Sequence, residues 1–136
     1  MTAIRNKRAK LDYEIIRKFE CGIVLNGSAV RAIRDRGGSI SQAHVRIIRG
    51  EIFLINAKFG NETSPSYKLL LARREIDYID TQIKSKKLTL IPLSLYTRGR
   101  FFKLEIALAR SRKKYQKKEI LKRRDVEREI ARELKN

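Results

Sequence analysis

Alternation constrains this chain more than any other feature. Phe102, Leu104, Ile106 and Leu108 interleave with Phe101, Lys103, Glu105 and Ala107. Successive side chains of a strand point to opposite faces, so such a run buries one face and wets the other. A second run, Leu11, Tyr13, Ile15, Phe19, Cys21, Ile23 and Leu25, keeps the same period with only Arg17 out of place. It predicts one long, bent strand with these seven residues on one face. Residues 43–48 and 51–59 are two further β-rich runs meeting at Arg49-Gly50, a hairpin signal. Residues 88–96 and 101–109 form another hairpin, in which Pro92, lacking an N–H, calls for an edge or a bulge.

Helical spacing is rarer. Leu69, Ala72, Ile76, Ile79 and Ile83 recur at steps of three and four, a stripe suited to packing on a sheet. Asn26-Gly27 ends the first long strand, and Ser28 can cap a short helix over 28–36 that Gly37-Gly38 stops. Residues 60–67, rich in turn formers, read as a loop. Five or six antiparallel strands with one substantial helix predict a mainly β, α+β domain: a small closed or partly open barrel of the OB type.

Charge divides the chain. Its 136 residues hold 33 Lys and Arg against 15 Asp and Glu, a net +18 that calls for a polyanionic partner. Residues 110–136 hold 12 bases and 5 acids, or +7; the 109 before them hold 21 and 10, or +11. The tail is thus more than twice as charge-dense as the body, which predicts a domain over 1–109 and a basic extension over 110–136. Ile120, Val126, Ile130 and Leu134 give that extension a thin apolar seam, too sparse for a self-sufficient helix, so it is expected to order on a partner. No apolar run approaches the ~20 residues that span a bilayer, and no signal-peptide core opens the chain, so nucleic acid is favoured over membrane. With one cysteine, Cys21, and one histidine, His44, neither an internal disulfide nor a structural zinc site is expected. The lone cysteine and missing leader suggest a cytoplasmic protein.

The densest basic run is Arg110, Arg112, Lys113, Lys114, Lys117 and Lys118, with Tyr115 inside it. Such bases contact phosphates and supply affinity without sequence choice, and an aromatic among them can stack on a base. The plainer readings are a solvated tail, and a tyrosine that merely packs on its helix. Arg5, Lys7, Arg8 and Lys10, around Asn6, form a second patch, or a frayed end. Glu20 cannot serve phosphate binding. It could accept hydrogen bonds from a base edge, orient a neighbouring arginine, or be an ordinary exposed acid. No catalytic constellation is visible, so no enzyme and no cofactor are expected.

An ordered series runs through the chain. Asn6-Lys7-Arg8-Ala9, Asp12-Tyr13 and Phe19-Glu20-Cys21-Gly22-Ile23 come first, then Val45-Arg46-Ile47 and Gly50-Glu51-Ile52-Phe53-Leu54. Lys68-Leu69-Leu70-Leu71, Arg74-Glu75-Ile76-Asp77, Ile91-Pro92-Leu93-Ser94-Leu95-Tyr96, Lys113-Lys114-Tyr115 and Arg124-Asp125 follow. Together these resemble the SsrA-binding protein family, partners of transfer-messenger RNA. The resemblance implies an OB-like antiparallel barrel with flanking helices and a tail that becomes helical when bound. It implies a monomer that binds the tRNA-like part of that RNA in place of an anticodon arm. In trans-translation the family brings the RNA to ribosomes stalled on non-stop messages, in a delivery complex with elongation factor Tu.

The resemblance further implies that Asn6, Lys7, Arg8, Tyr13, Glu20, His44 and Leu70 face the RNA. Tyr115 and the bases around it, from Arg110 through Lys122, Arg123 and Arg124, would meet small-subunit rRNA at the decoding centre and mRNA channel. His44 stands where the family usually has Tyr, and Ala29 where it usually has Glu. A structural ribosomal or ribosome-assembly protein is the competing reading, since it would share a basic barrel and tail.

Overall fold

The structure, a computed structural model, describes residues 3–61 and 64–135. In chain order the elements begin with β1 (Ile4–Arg5), α1 (Ala9–Asp12), β2 (Tyr13–Ile23) and α2 (Gly27–Arg36). Then come β3 (Gly38–Ser39), β4 (His44–Ile48), β5 (Glu51–Ile55), β6 (Lys58–Phe59) and β7 (Ser66–Leu70). α3 (Arg73–Lys86), β8 (Thr89–Arg98), β9 (Phe101–Ser111) and α4 (Lys114–Lys135) follow. Seven strands form one antiparallel sheet in the order β1-β8-β9-β2-β7-β5-β4, and β4 also approaches β8. The sheet therefore curls on itself into the expected OB-like barrel, with helices at its flanks.

The core is what alternation demanded on β9. Leu104, Ile106 and Leu108 are buried inside the barrel, and the alternate Ala107 and Ala109 lie on the other face. Burying side chains of this size stabilises by roughly 1.5–3 kcal/mol each before chain entropy is charged against them. α2 adds Ile33 and α3 adds Ile76 and Ile79 to the same interior. Among the described residues no charged side chain is buried.

The long first strand departs from expectation. β2 pairs Ile15 with Ala109 and then Arg17 with Leu108, so Ile16 is an extra residue in a bulge. One inserted residue turns everything beyond it to the opposite face. Phe19 and Cys21 therefore enter the barrel, whereas Tyr13 and Ile15 pack outside it on Ala9, Ile91, Ala107 and Ala109. The seven residues share a period but not a face, and Leu11 lies in α1. Arg17, out of pattern in the sequence, caps the barrel's rim. Its guanidinium carbon stands 5.0 Å from the Phe19 ring centre and 4.8 Å from that of Tyr78.

Other boundaries move for local reasons. Asn26, rather than Ser28, caps α2, its side chain accepting from the Ala29 N–H at 2.8 Å. Gly37 ends that helix as expected, at φ 67°. The run 51–59 is broken by Asn56 at φ 67°, and Lys58–Phe59 pairs instead with β3 in a separate two-stranded sheet. That pairing needs Gly38, because a Cβ there would sit 2.3 Å from the Lys58 carbonyl oxygen. The predicted loop 60–67 hides the start of β7. Tyr67 and Leu69 are buried while Ser66, Lys68 and Leu70 are exposed, so Leu69 belongs to a strand and α3 starts only at Arg73. Glu62 and Thr63 of that loop lie outside the described residues. Pro92 does mark a bulge, with the register of β8 against β9 shifting between Pro92 and Ser94.

Candidate nucleic-acid interface

β8, β9 and β2 turn one face outward, and β1 extends it. In register across it run Arg5, Ser94, Glu105 and Glu20, one residue from each of four strands. Glu20 and Glu105 thus oppose each other directly, a like-charge pair that disfavours the sheet unless cations offset it. Those cations are present. A cleft of about 490 Å³ beside this row is lined by Arg5, Lys7, Lys10, Lys18 and Arg124, with Glu105 as its one acid.

Asn6 builds the near wall. Its Nδ2 donates to the Pro92 carbonyl at 2.9 Å and its backbone N–H to that of Leu93 at 2.8 Å. The β8 bulge frees these carbonyls, and Asn6 uses them to pin the N-terminal segment, leaving Lys7 and Arg8 exposed. Arg8 lies 3.6 Å from Asp12. Tyr13 is half-buried on the small outer cluster.

Glu20 is fully engaged. One carboxylate oxygen accepts from the Tyr96 hydroxyl, and the other lies 3.2 Å from the Arg98 guanidinium. Burial first, then this hydrogen bond, pushes the Tyr96 phenol up to about 12, so it remains a donor at neutral pH. Leu70 pairs with Gly22, two residues along β2 from Glu20. A Cβ on Gly22 would meet the Leu70 Cβ at 3.2 Å, so the glycine lets this exposed leucine lie across the strand.

The structure therefore gathers Asn6, Lys7, Arg8, Glu20 and Leu70 around one outer face, with Tyr13 at its margin. His44 stands apart. It stands on β4, two strands beyond β7, and pairs with Ile55 of β5; its row meets β7 at Ser66, four residues or ~13 Å of strand from Leu70. There it lines another cleft with Arg46, Asp80 and Thr89.

The basic tail divides in two. Arg110 and Ser111 belong to β9, and Arg110 lies 3.7 Å from Glu14. Arg112 donates to α1, its backbone N–H to the Asp12 carbonyl at 2.9 Å and its Nε to the Lys10 carbonyl at 3.2 Å. Lys117 approaches Asp12 at 3.3 Å, and Arg124 reaches the cleft. Lys113, Lys114, Lys118, Lys122 and Arg123 remain exposed, as does Tyr115 at 60%. Cys21 is buried, and that burial pushes its thiol up to about 12, leaving it inert.

Tyr96, Arg98 and Lys18 escaped the sequence reading. Glu20, the partner of Tyr96 and Arg98, is 76 or more residues from both, and no local spacing links them. Among the described residues no cluster of three His, Cys, Asp or Glu side chains could hold a metal, and no helix is long and apolar enough to cross a membrane.

A family model described as SmpB protein matches residues 3–136. The SsrA-binding protein of Mycoplasma mycoides is 41% identical over 98% of this chain and 95% of its own length. That of Protochlamydia amoebophila is 40% identical over 97% and 92%. A solved chain reported under "tmRNA-SmpB: a journey to the center of the bacterial ribosome" superposes with a TM-score of 0.65 at 30% identity, covering 84% of this chain and 87% of that one.

Proposed function

Since the chain belongs to the SmpB family, we propose that it binds transfer-messenger RNA and carries it to stalled ribosomes in trans-translation. In this reading it acts through recognition rather than catalysis. The observation that carries the geometry is the outer face on which the N-terminal bases, Glu20 and Leu70 converge beside a cleft with five cations. Lys7 and Arg8 reach phosphates, and the exposed Leu70 offers an apolar contact to a base or sugar. Asn6 and Tyr13 hold the wall that presents them. His44, on a different part of the barrel, serves a separate contact along the RNA. Elongation factor Tu joins the delivery complex, which works as a one-to-one assembly in the cytoplasm.

We assign the two tasks to different parts of the chain. The barrel, residues 1–109 with the last residues of β9, holds the RNA. The exposed bases of α4 and Tyr115 meet rRNA in the decoding centre and mRNA channel, where a dense row of cations finds phosphates on every side.

Titration against transfer-messenger RNA tests this reading. Binding should weaken steeply with salt as counterion release is lost, and an affinity unchanged between low and physiological salt would reject it. Glu20→Arg should weaken binding although it adds charge, whereas unchanged or tighter binding would remove Glu20 from the interface. Co-purified RNA should be enriched in one transfer-messenger RNA; stoichiometric ribosomal RNA would indicate a structural ribosomal protein instead.

A further inference from the structure

β8 and β9 meet in a tight turn at Gly99, whose φ of 61° lets the strands reverse without splaying. Arg98 and Phe101 face each other in register across it. Phe101 is 69% exposed, more than any other large apolar side chain among the described residues before the tail. Nothing in the fold requires a phenyl ring there, and its surroundings are cationic. Arg98 stands opposite, Arg100 lies in the turn, and the Lys103 ammonium is 6.0 Å from the ring centre.

Arg98 is anchored. Its contact with one oxygen of Glu20 occupies part of a five-donor fork and leaves the rest outward. Tyr96 takes the second oxygen of Glu20, which turns the carboxylate toward the hairpin and away from direct use by a ligand. An exposed aromatic flanked by an oriented guanidinium is the arrangement that unpaired nucleotides use, a base on the ring and a phosphate on the fork.

We propose that the β8–β9 tip is a nucleotide-binding site for an unpaired residue of the bound RNA, in which Phe101 stacks on the base, Arg98 holds the neighbouring phosphate, and Glu20 is a positioning residue acting through Arg98. The inference rests on the RNA-binding reading above and assigns it a contact outside the cleft. A second copy of this chain is disfavoured as the occupant, because it would bring its own +18 against the same cations.

The chain has no tryptophan, so Phe101→Trp installs a single indole reporter at the tip. With wild-type transfer-messenger RNA binding established first, the emission of Phe101→Trp should be quenched as the RNA saturates it. Phe101→Ala should lose about tenfold with its salt slope unchanged, and Arg98→Gln should lose a similar factor with the slope reduced by about one. Glu20→Gln should weaken the wild type but add nothing in the Arg98→Gln background, because a positioning residue has no effect without its client. Wild-type affinity in Phe101→Ala, or unquenched emission at saturation, overturns the site. Additive losses for Glu20→Gln and Arg98→Gln overturn the positioning role. A concentration-dependent dimer that Phe101→Ala abolishes, seen by sedimentation without RNA, assigns the tip to a second copy and also overturns the proposal. Failure of the wild type itself to bind transfer-messenger RNA rejects the broader reading, which keeps the two failures distinct.

Discussion

α3 repeats apolar residues at steps of three and four and α4 repeats Val126, Ile130 and Leu134 at steps of four, yet the two stripes end in opposite environments. α3 spends its stripe on the barrel, with Ile79 fully buried and Ile76 nearly so. α4, with 22 residues and a length of ~33 Å, leaves Val126 and Ile130 about half exposed and Leu134 at 82%. What separates them is the company the stripe keeps. α3 has apolar residues of β2 and β8 to meet, and its ions pair along its own surface, Arg73 with Asp77 at 3.5 Å and Lys84 with Asp80 at 3.0 Å. α4 carries nine bases against five acids, so laying it down on a basic body gathers like charge. Periodicity makes a helix; only a complementary surface makes a docked one. α4 is held near its start, by Lys117 to Asp12, and Arg124 midway lines the cleft, while Arg128 and Arg132 beyond it are exposed.

Removing residues 114–136 should break the comparison most visibly. α4 contributes no core residue, so the truncated barrel should unfold at nearly the wild-type urea concentration and bind transfer-messenger RNA within a few-fold. Tagging of nascent chains on a non-stop message should disappear. The cut belongs after Lys113, because Arg110 and Ser111 complete β9 and Arg112 is hydrogen-bonded to α1. Full rescue by the truncated chain would show that α4 has no ribosomal role.

Matched alanine substitutions put the contrast on one scale. Ile79→Ala opens a cavity in a closed core and should cost ~2–5 kcal/mol, whereas Ile130→Ala on the exposed seam should stay within ~0.5 kcal/mol. Urea melts of the two variants give both numbers. Equal costs would mean that α4 docks on the barrel as firmly as α3 does.

Alkali strikes the barrel side. Folding raises the ordinary thiol value of Cys21 from 9.0 and the phenol value of Tyr96 from 10.0, each to about 12. Both groups then lose protons more readily from the unfolded chain. Stability should hold below about pH 9 and fall as pH rises toward about 12. Cys21→Val removes the larger of the two shifts, so its urea midpoint should decline less between pH 9 and 11. A decline identical to the wild type would exclude Cys21 as a source.

The smallest effect concerns the tether. Asp12→Asn weakens contacts with both Lys117 and Arg8, which are partly exposed, so the global cost should stay below ~1 kcal/mol. Amide exchange should nevertheless quicken in the first turns of α4 and not in β9. Uniform quickening would instead make Asp12 a support of the barrel as a whole.

Features that depend on a few neighbouring residues were legible in the sequence. The alternation of β9, the Arg49-Gly50 turn, the stop of α2 at Gly37, the bulge at Pro92 and the density of charge after Arg110 each express a local preference. So does the ordered series of short motifs that pointed to the family. Tertiary structure decided what needs two distant segments. The bulge at Ile16 exists because β9 offers one fewer residue than β2, and it alone decides that Tyr13 and Ile15 lie outside while Phe19 and Cys21 lie within. β7 escaped notice because the spacing of Leu69 to Ile76 fits a helix, and only its partners β5 and β2 make it a strand. Glu20 could be read three ways until Tyr96 and Arg98 arrived on a neighbouring hairpin. His44 parted from the residues it was grouped with because sheet order, not chain order, sets distance across a barrel. A chain encodes period, caps and turns through neighbours, but register and the faces of its strands come from pairing at long range.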